Sequence, residues 1–184
     1  MNQEWLSGFQ QTKMKIQLEA NIQFYQLRDS KARLRCHQGG TRSGKTYAIC
    51  QYLVQLMLQT KHPLVISIIR KTLPALKGSV QRDFLQIAEV VGMLDDGAVL
   101  NKVEGQFTYK NHLVEFLSVD DSQKIRGRKR NIAFLNEANE LSQEDFRQIN
   151  MRCTDFIILD FNPSDPVHWI YDDIIPRDDC DTWI

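Results

Sequence analysis

Between residues 39 and 46 the chain reads Gly-Gly-Thr-Arg-Ser-Gly-Lys-Thr, and no other stretch restricts its fold so tightly. The run matches GxxxxGK[ST], a loop whose chemistry requires a strand before it and a helix after it. Glycines let successive backbone N–H groups turn toward phosphate oxygens, and the following helix aims its positive end at the same oxygens. Lys45 is placed to reach the β- and γ-phosphates, and the Thr46 hydroxyl to ligate Mg2+. Gly39, Gly40, Thr41, Arg42, Ser43, Gly44, Lys45 and Thr46 are therefore the expected nucleotide-binding residues, with ATP as substrate and Mg2+ as cofactor. A flexible surface turn is the alternative, and the flanking pattern argues against it.

That pattern alternates strands and helices. Residues 10–29 carry Met14, Leu18, Ile22 and Tyr25 at helical spacing. Ala32–Cys36 reads as a short strand entering the loop, and residues 45–59 as the helix leaving it. Leu64–Ile69, Ile132–Leu135 and Phe156–Leu159 are compact apolar runs, the last of them read as the final buried strand. A helix is expected over Ser79–Val91 with Gly92 as its terminating glycine, and Ser142-x-x-Asp145 resembles a capping box. Residues 98–119 read as a small antiparallel excursion. The fold class expected is α/β, a P-loop NTPase of the ASCE/RecA type, with a mainly parallel sheet covered by helices on both faces.

The bulk properties narrow the class further. A chain of 184 residues supports one substantial core. No apolar run is long enough to span a bilayer, and the first twenty residues lack the layout of a secretion signal, so the protein is expected to stay in the cytoplasm where it is made, with no membrane partner. Cysteines at 36, 50, 153 and 180 and four dispersed histidines suggest neither a disulfide framework nor a metal cluster. A net charge of zero argues against bulk electrostatic gripping of nucleic acid, though a local basic patch remains open.

A P-loop needs a second strand ending in an acidic residue near the metal and the attacking water. Asn131–Glu137 supplies it, with Glu137 as the general-base candidate against the alternative that it merely opens a loop. Asn136 stands where such sites often hold an aspartate; it can contact Mg2+ through water but adds no charge. Lys124, Arg126, Arg128, Lys129 and Arg130 then form a basic loop with three open readings: a solvated face, a trans-acting arginine, or a DNA backbone contact. Asn162, after the Phe156–Phe161 run, is either a γ-phosphate sensor or part of an Asn-Pro turn. Trp169 and Tyr171 read as packing residues.

Four segments in order, QGGTRSGKT (38–46), IIRKTLPALKGSVQRDF (68–84), KIRGRKRNIAFLNEANEL (124–141) and DFNPSDPVHWIYDDI (160–174), resemble the ATPase half of a tailed-bacteriophage terminase large subunit. The resemblance covers about residues 20–175. It implies a Walker A motif at Gly39, Gly44, Lys45 and Thr46, with Arg42 as its internal arginine, and a catalytic glutamate at Glu137. It further implies a coupling residue at Asn162, an adenine-contacting segment at Tyr25 and Gln26, and a trans-acting arginine at Arg126 or Arg128. The implied partners are double-stranded DNA, a portal protein, a small terminase subunit and copies of the chain in a ring, commonly five.

The resemblance places residues 1–175 in the ATPase domain and 176–184 at the start of a linker toward a nuclease domain, so this chain is expected not to cleave DNA. Rival expectations are another P-loop DNA motor such as a helicase, a nucleotide-binding switch with little turnover, for which Asn136 speaks, and an inert docking component.

Overall fold

Among the described residues six strands run parallel, because helices and loops carry the chain back across the sheet faces between them. The computed structural model describes residues 19–40, 42–120, 125, 127–163 and 167–184. Met14, Leu18, Thr41, Lys124 and Arg126 lie outside the described residues.

The elements are α1 (Ile22–Asp29), β1 (Leu34–Gln38), α2 (Lys45–Gln59), β2 (Val65–Arg70), α3 (Leu73–Gly78), α4 (Val80–Val90), β3 (Val99–Asn101), β4 (Gln106–Tyr109), β5 (His112–Ser118), β6 (Arg130–Leu135), α5 (Gln143–Asn150), β7 (Cys153–Phe161) and β8 (Cys180–Trp183). The strand order is β3-β4-β5-β2-β6-β7-β1-β8. All neighbours from β5 to β8 pair parallel, and β3 and β4 add an antiparallel edge. The P-loop NTPase architecture expected from the sequence is therefore present.

Alternation along each strand divides the core in two. Ile132 and Phe134 of β6 and Ile158 of β7 pack on one face, against Ile49, Leu53 and Met57 of α2 and Phe84 and Ile87 of α4. Ala133, Leu135, Ile157 and Leu159 point the other way, against Phe146 and Ile149 of α5 and against Ile170 and Ile174. Both faces are covered, so the strands read as unbroken apolar runs.

Two features go beyond the sequence expectations. The antiparallel excursion expected over 98–119 is present as β3, β4 and β5, and β5 also pairs parallel with β2 from Val65↔Leu113 to Arg70↔Ser118, which joins it to the central sheet. Phe156–Leu159 is the last buried strand, as expected, but a half-buried edge strand follows it. Residues 180–183, assigned by sequence to a linker, form β8 against β1, with Leu34 opposite Cys180. The short polar-flanked CDTW run carries little strand signal by itself; the edge of β1 draws it in.

Local signals hold elsewhere. Ser142 and Asp145 form a reciprocal capping box at α5. Gly92 ends α4 at φ +78°, a conformation that favours glycine.

β1 also buries His37, whose ring lies 4.7 Å from that of Trp183 and whose two nitrogens have no protein partner. Burial, with Lys45 nearby, lowers its pKa to about 4. The unfolded chain, with a histidine pKa of about 6.5, then takes up a proton that the native chain refuses, so this contribution to stability is intact above about pH 6.5 and is lost as pH falls toward 4. At pH 5 the expected loss is about 2 kcal/mol. His37→Phe should flatten the pH dependence of the urea midpoint between pH 7 and 5; an unchanged slope would refute this account.

Candidate nucleotide site

The loop after β1 and the ends of β6 and β7 meet at the carboxyl edge of the sheet, where open α/β sheets bind ligands. Gly39 N–H donates to the Phe161 carbonyl at 3.2 Å, tying the loop to β7. Gly44 adopts φ +82°, which favours glycine, and a Cβ there would come within 3.0 Å of Asn21 Nδ2 at the start of α1. α2 begins at Lys45, which points the helix N-terminus into the loop.

Lys45 is buried, and its ammonium curls over the loop. Nζ donates to the Gly39 carbonyl at 2.7 Å, the Gly40 carbonyl at 3.1 Å, Ser43 Oγ at 3.2 Å and Asn162 Oδ1 at 3.3 Å. Asn162 in turn donates through Nδ2 to Glu137 Oε2 at 3.2 Å. One amide side chain thus joins the phosphate-loop lysine to the expected base.

Glu137 follows β6 at φ 53°, ψ 55°, a left-handed conformation that costs a non-glycine residue of order 1–3 kcal/mol. Its backbone is fixed where its N–H donates to Asp160 Oδ1 at 2.7 Å. Burial and then the Asp160 charge raise the Glu137 pKa, opposed by Arg70 and Lys45.

Asp160 is the residue that sequence reasoning missed. It is 1% exposed, the next-to-last residue of β7, and is followed by the buried Phe161. Thr46 Oγ1 donates to its Oδ2 at 2.6 Å, and Asn136 Nδ2 lies 3.0 Å from both carboxylate oxygens. The available signal was an aspartate closing an apolar run beside the catalytic strand. Also unforeseen is the clamp on the turn after Glu137. His168 Nε2 lies 3.2 Å from the Asn139 carbonyl and Trp169 Nε1 donates to the Leu141 carbonyl at 3.0 Å, while Trp169 packs on Phe146.

The remaining candidates lie apart from this cluster. Arg42 is exposed with φ 66°. Tyr25 borders a groove between α1 and α2 lined by Gln51, Val54 and Leu58, and Arg28 sits over its ring; Gln26 Oε1 is buried without a protein partner. Arg128 lies just before β6, and Glu137 follows the other end of that strand. Arg128 pairs with Glu115 of β5, so the structure does not bring it to this chain's own phosphate loop.

The family model for the phage terminase large subunit matches residues 31–182. No curated protein matches the sequence. Among solved structures, the large terminase of a thermophilic bacteriophage aligns with TM-score 0.67 and 20% identity, over 85% of this chain and 41% of that one. The same terminase in complex with ATP-gamma-S aligns with TM-score 0.69 and 16% identity, over 88% and 42%. The large terminase ATPase domain of Thermus phage P74-26 aligns with TM-score 0.67 and 16% identity, over 90% and 80%. At these identities the likeness establishes the fold. The chain spans less than half of the first of these terminases and matches most of the P74-26 domain.

Proposed function

We propose, from the premise that this chain belongs to the phage terminase large-subunit family, that it is the ATP-hydrolysing motor domain that drives double-stranded DNA into a procapsid. The observation that carries this reading is the Lys45–Asn162–Glu137 chain of hydrogen bonds, which puts a phosphate-binding cation and a base on either side of one amide.

In this reading the loop N–H groups and the N-terminus of α2 hold the nucleotide phosphates. Lys45 gives up its contacts to the Gly39 and Gly40 carbonyls for the β- and γ-oxygens. Glu137 accepts the proton of the attacking water. Asn162 changes partners when the γ-phosphate is present, and so reports phosphate state to the β7 end of the sheet. Gln26 Oε1, an unpaired acceptor, suits the exocyclic amine of adenine. Magnesium, when bound, supplies charge neutralisation between the phosphates. Thr46 fits such an ion, and Asn136 keeps a buried Oδ1 free of protein partners that can accept from a metal-bound water.

The partners belong to the same proposal: DNA, a portal protein, a small terminase subunit and a ring of this chain, acting in the host cytoplasm. The test is steady-state phosphate release from Mg-ATP with and without double-stranded DNA. Turnover that DNA stimulates and Lys45→Ala abolishes is the expected result. ATP binding with no phosphate release at any protein concentration, with or without DNA, would overturn it in favour of a nucleotide-binding switch.

A further inference from the structure

Asn136 is uncharged where P-loop sites often place the carboxylate that helps hold the divalent cation. The geometry points to the next strand: we propose that Asp160, at the end of β7, supplies the cation-holding carboxylate together with Thr46, and that Asn136 positions it. The inference rests on the Mg-nucleotide chemistry proposed above.

Three observations carry it. The first is register. Leu135 of β6 pairs with Leu159 of β7, so residues 136 and 160 lie side by side one step further on, on strands about 4.8 Å apart. A carboxylate at either position can serve the same point beyond the sheet edge. The second is the contact with the loop. Thr46 donates its hydroxyl proton to Asp160 Oδ2 at 2.6 Å, leaving an oxygen lone pair for a cation and setting hydroxyl and carboxylate side by side. Mg2+ is commonly held by one or two carboxylates plus phosphates and water, so a larger acidic cluster is unnecessary.

The third observation is charge. Asp160 is 1% exposed, and all its hydrogen-bond partners are neutral: Thr46, the Asn136 amide and the Glu137 N–H. Among the described residues no lysine or arginine forms an ion pair with it. Of the described lysines and arginines only Lys45 acts on it, as a through-space charge and not an ion-pair partner; a buried carboxylate so weakly compensated is costly, and a divalent cation is the countercharge this site is shaped to receive. Asn136 fits the complementary role. Its amide hydrogens are directed at the carboxylate, which an aspartate in its place would repel.

The two residues have therefore exchanged roles relative to the usual arrangement, and exchanging them back is the test. Mn2+ is titrated onto the chain with a non-hydrolysable ATP analogue, and free Mn2+ is read by electron paramagnetic resonance. Asp160→Asn should weaken Mn2+ binding by about 10- to 100-fold, while affinity for the analogue in EDTA holds. The double variant Asn136→Asp/Asp160→Asn, which restores one carboxylate facing one amide, should recover Mn2+ affinity. Recovery supports the proposal even where the single variant folds poorly.

Undiminished Mn2+ binding by Asp160→Asn, or a folded double variant that does not recover it, overturns the assignment of Asp160 alone. A wild-type chain that binds no nucleotide, with or without metal, overturns the proposed function as well.

Discussion

Glu137→Gln is expected to cut ATP turnover by about 10²- to 10⁴-fold while nucleotide still binds. Glutamine keeps the length and one oxygen of the side chain, so the contact with Asn162 Nδ2 at 3.2 Å survives and the loop stays formed. What it loses is proton affinity. The left-handed backbone at Glu137, pinned by its N–H to Asp160, and the clamp from His168 and Trp169 hold this carboxylate at one place at the sheet edge. Burial and the Asp160 charge raise its pKa, which strengthens it as a base but brings its protonation closer to neutrality. Turnover should therefore decline on acidification sooner than an ordinary glutamate would dictate, and return as pH rises. Single-turnover phosphate release over a pH series reads both effects. A Gln variant that retains turnover within a few-fold would show that another group activates the water.

The sequence discloses the parts of this site whose chemistry is local. GxxxxGKT constrains backbone and side chains within eight residues, and it predicts both the loop and the helix from Lys45 to Gln59. The apolar runs of β2, β6 and β7 are legible because burial on both faces removes polar residues from them. What escapes are pairings across strands. Asp160 looks like the polar end of an apolar run, because nothing local says that residue 160 stands beside residue 136 or that Thr46 meets both. β8 escapes for a similar reason: Cys180–Trp183 becomes a strand only through the open edge of β1. Asn162 is legible as a candidate sensor, but its contacts with both Lys45 and Glu137 follow from the loop folding over the end of β7.

The basic loop shows how such a hidden pairing changes an experiment. Arg128 is a candidate trans-acting arginine by sequence, and its alanine variant is the obvious probe. Yet its guanidinium donates to Glu115, which is 1% exposed and, among the described residues, otherwise receives only the Ser67 hydroxyl at 3.3 Å. Arg128→Ala removes the ion-pair partner of that buried carboxylate and leaves the buried Arg130 as the cation nearby. Breaking a fully buried pair costs about 3–5 kcal/mol; since the Arg128 side chain is 41% exposed, a smaller loss of about 2–3 kcal/mol is expected here. Urea unfolding measures it, and a variant as stable as wild type would show that the pair contributes little.

Lost turnover in Arg128→Ala therefore does not identify a finger, because a loosened β5–β6 region would lose it too. The discriminating variant is Glu115→Gln/Arg128→Ala, which removes the buried carboxylate together with its ion-pair partner and should regain part of the stability, because the buried Arg130 then loses the nearby Glu115 charge. If the folded double variant remains inactive at concentrations where copies of the chain assemble, Arg128 acts on a neighbour's nucleotide. If turnover returns with stability, the arginine's task is to neutralise Glu115.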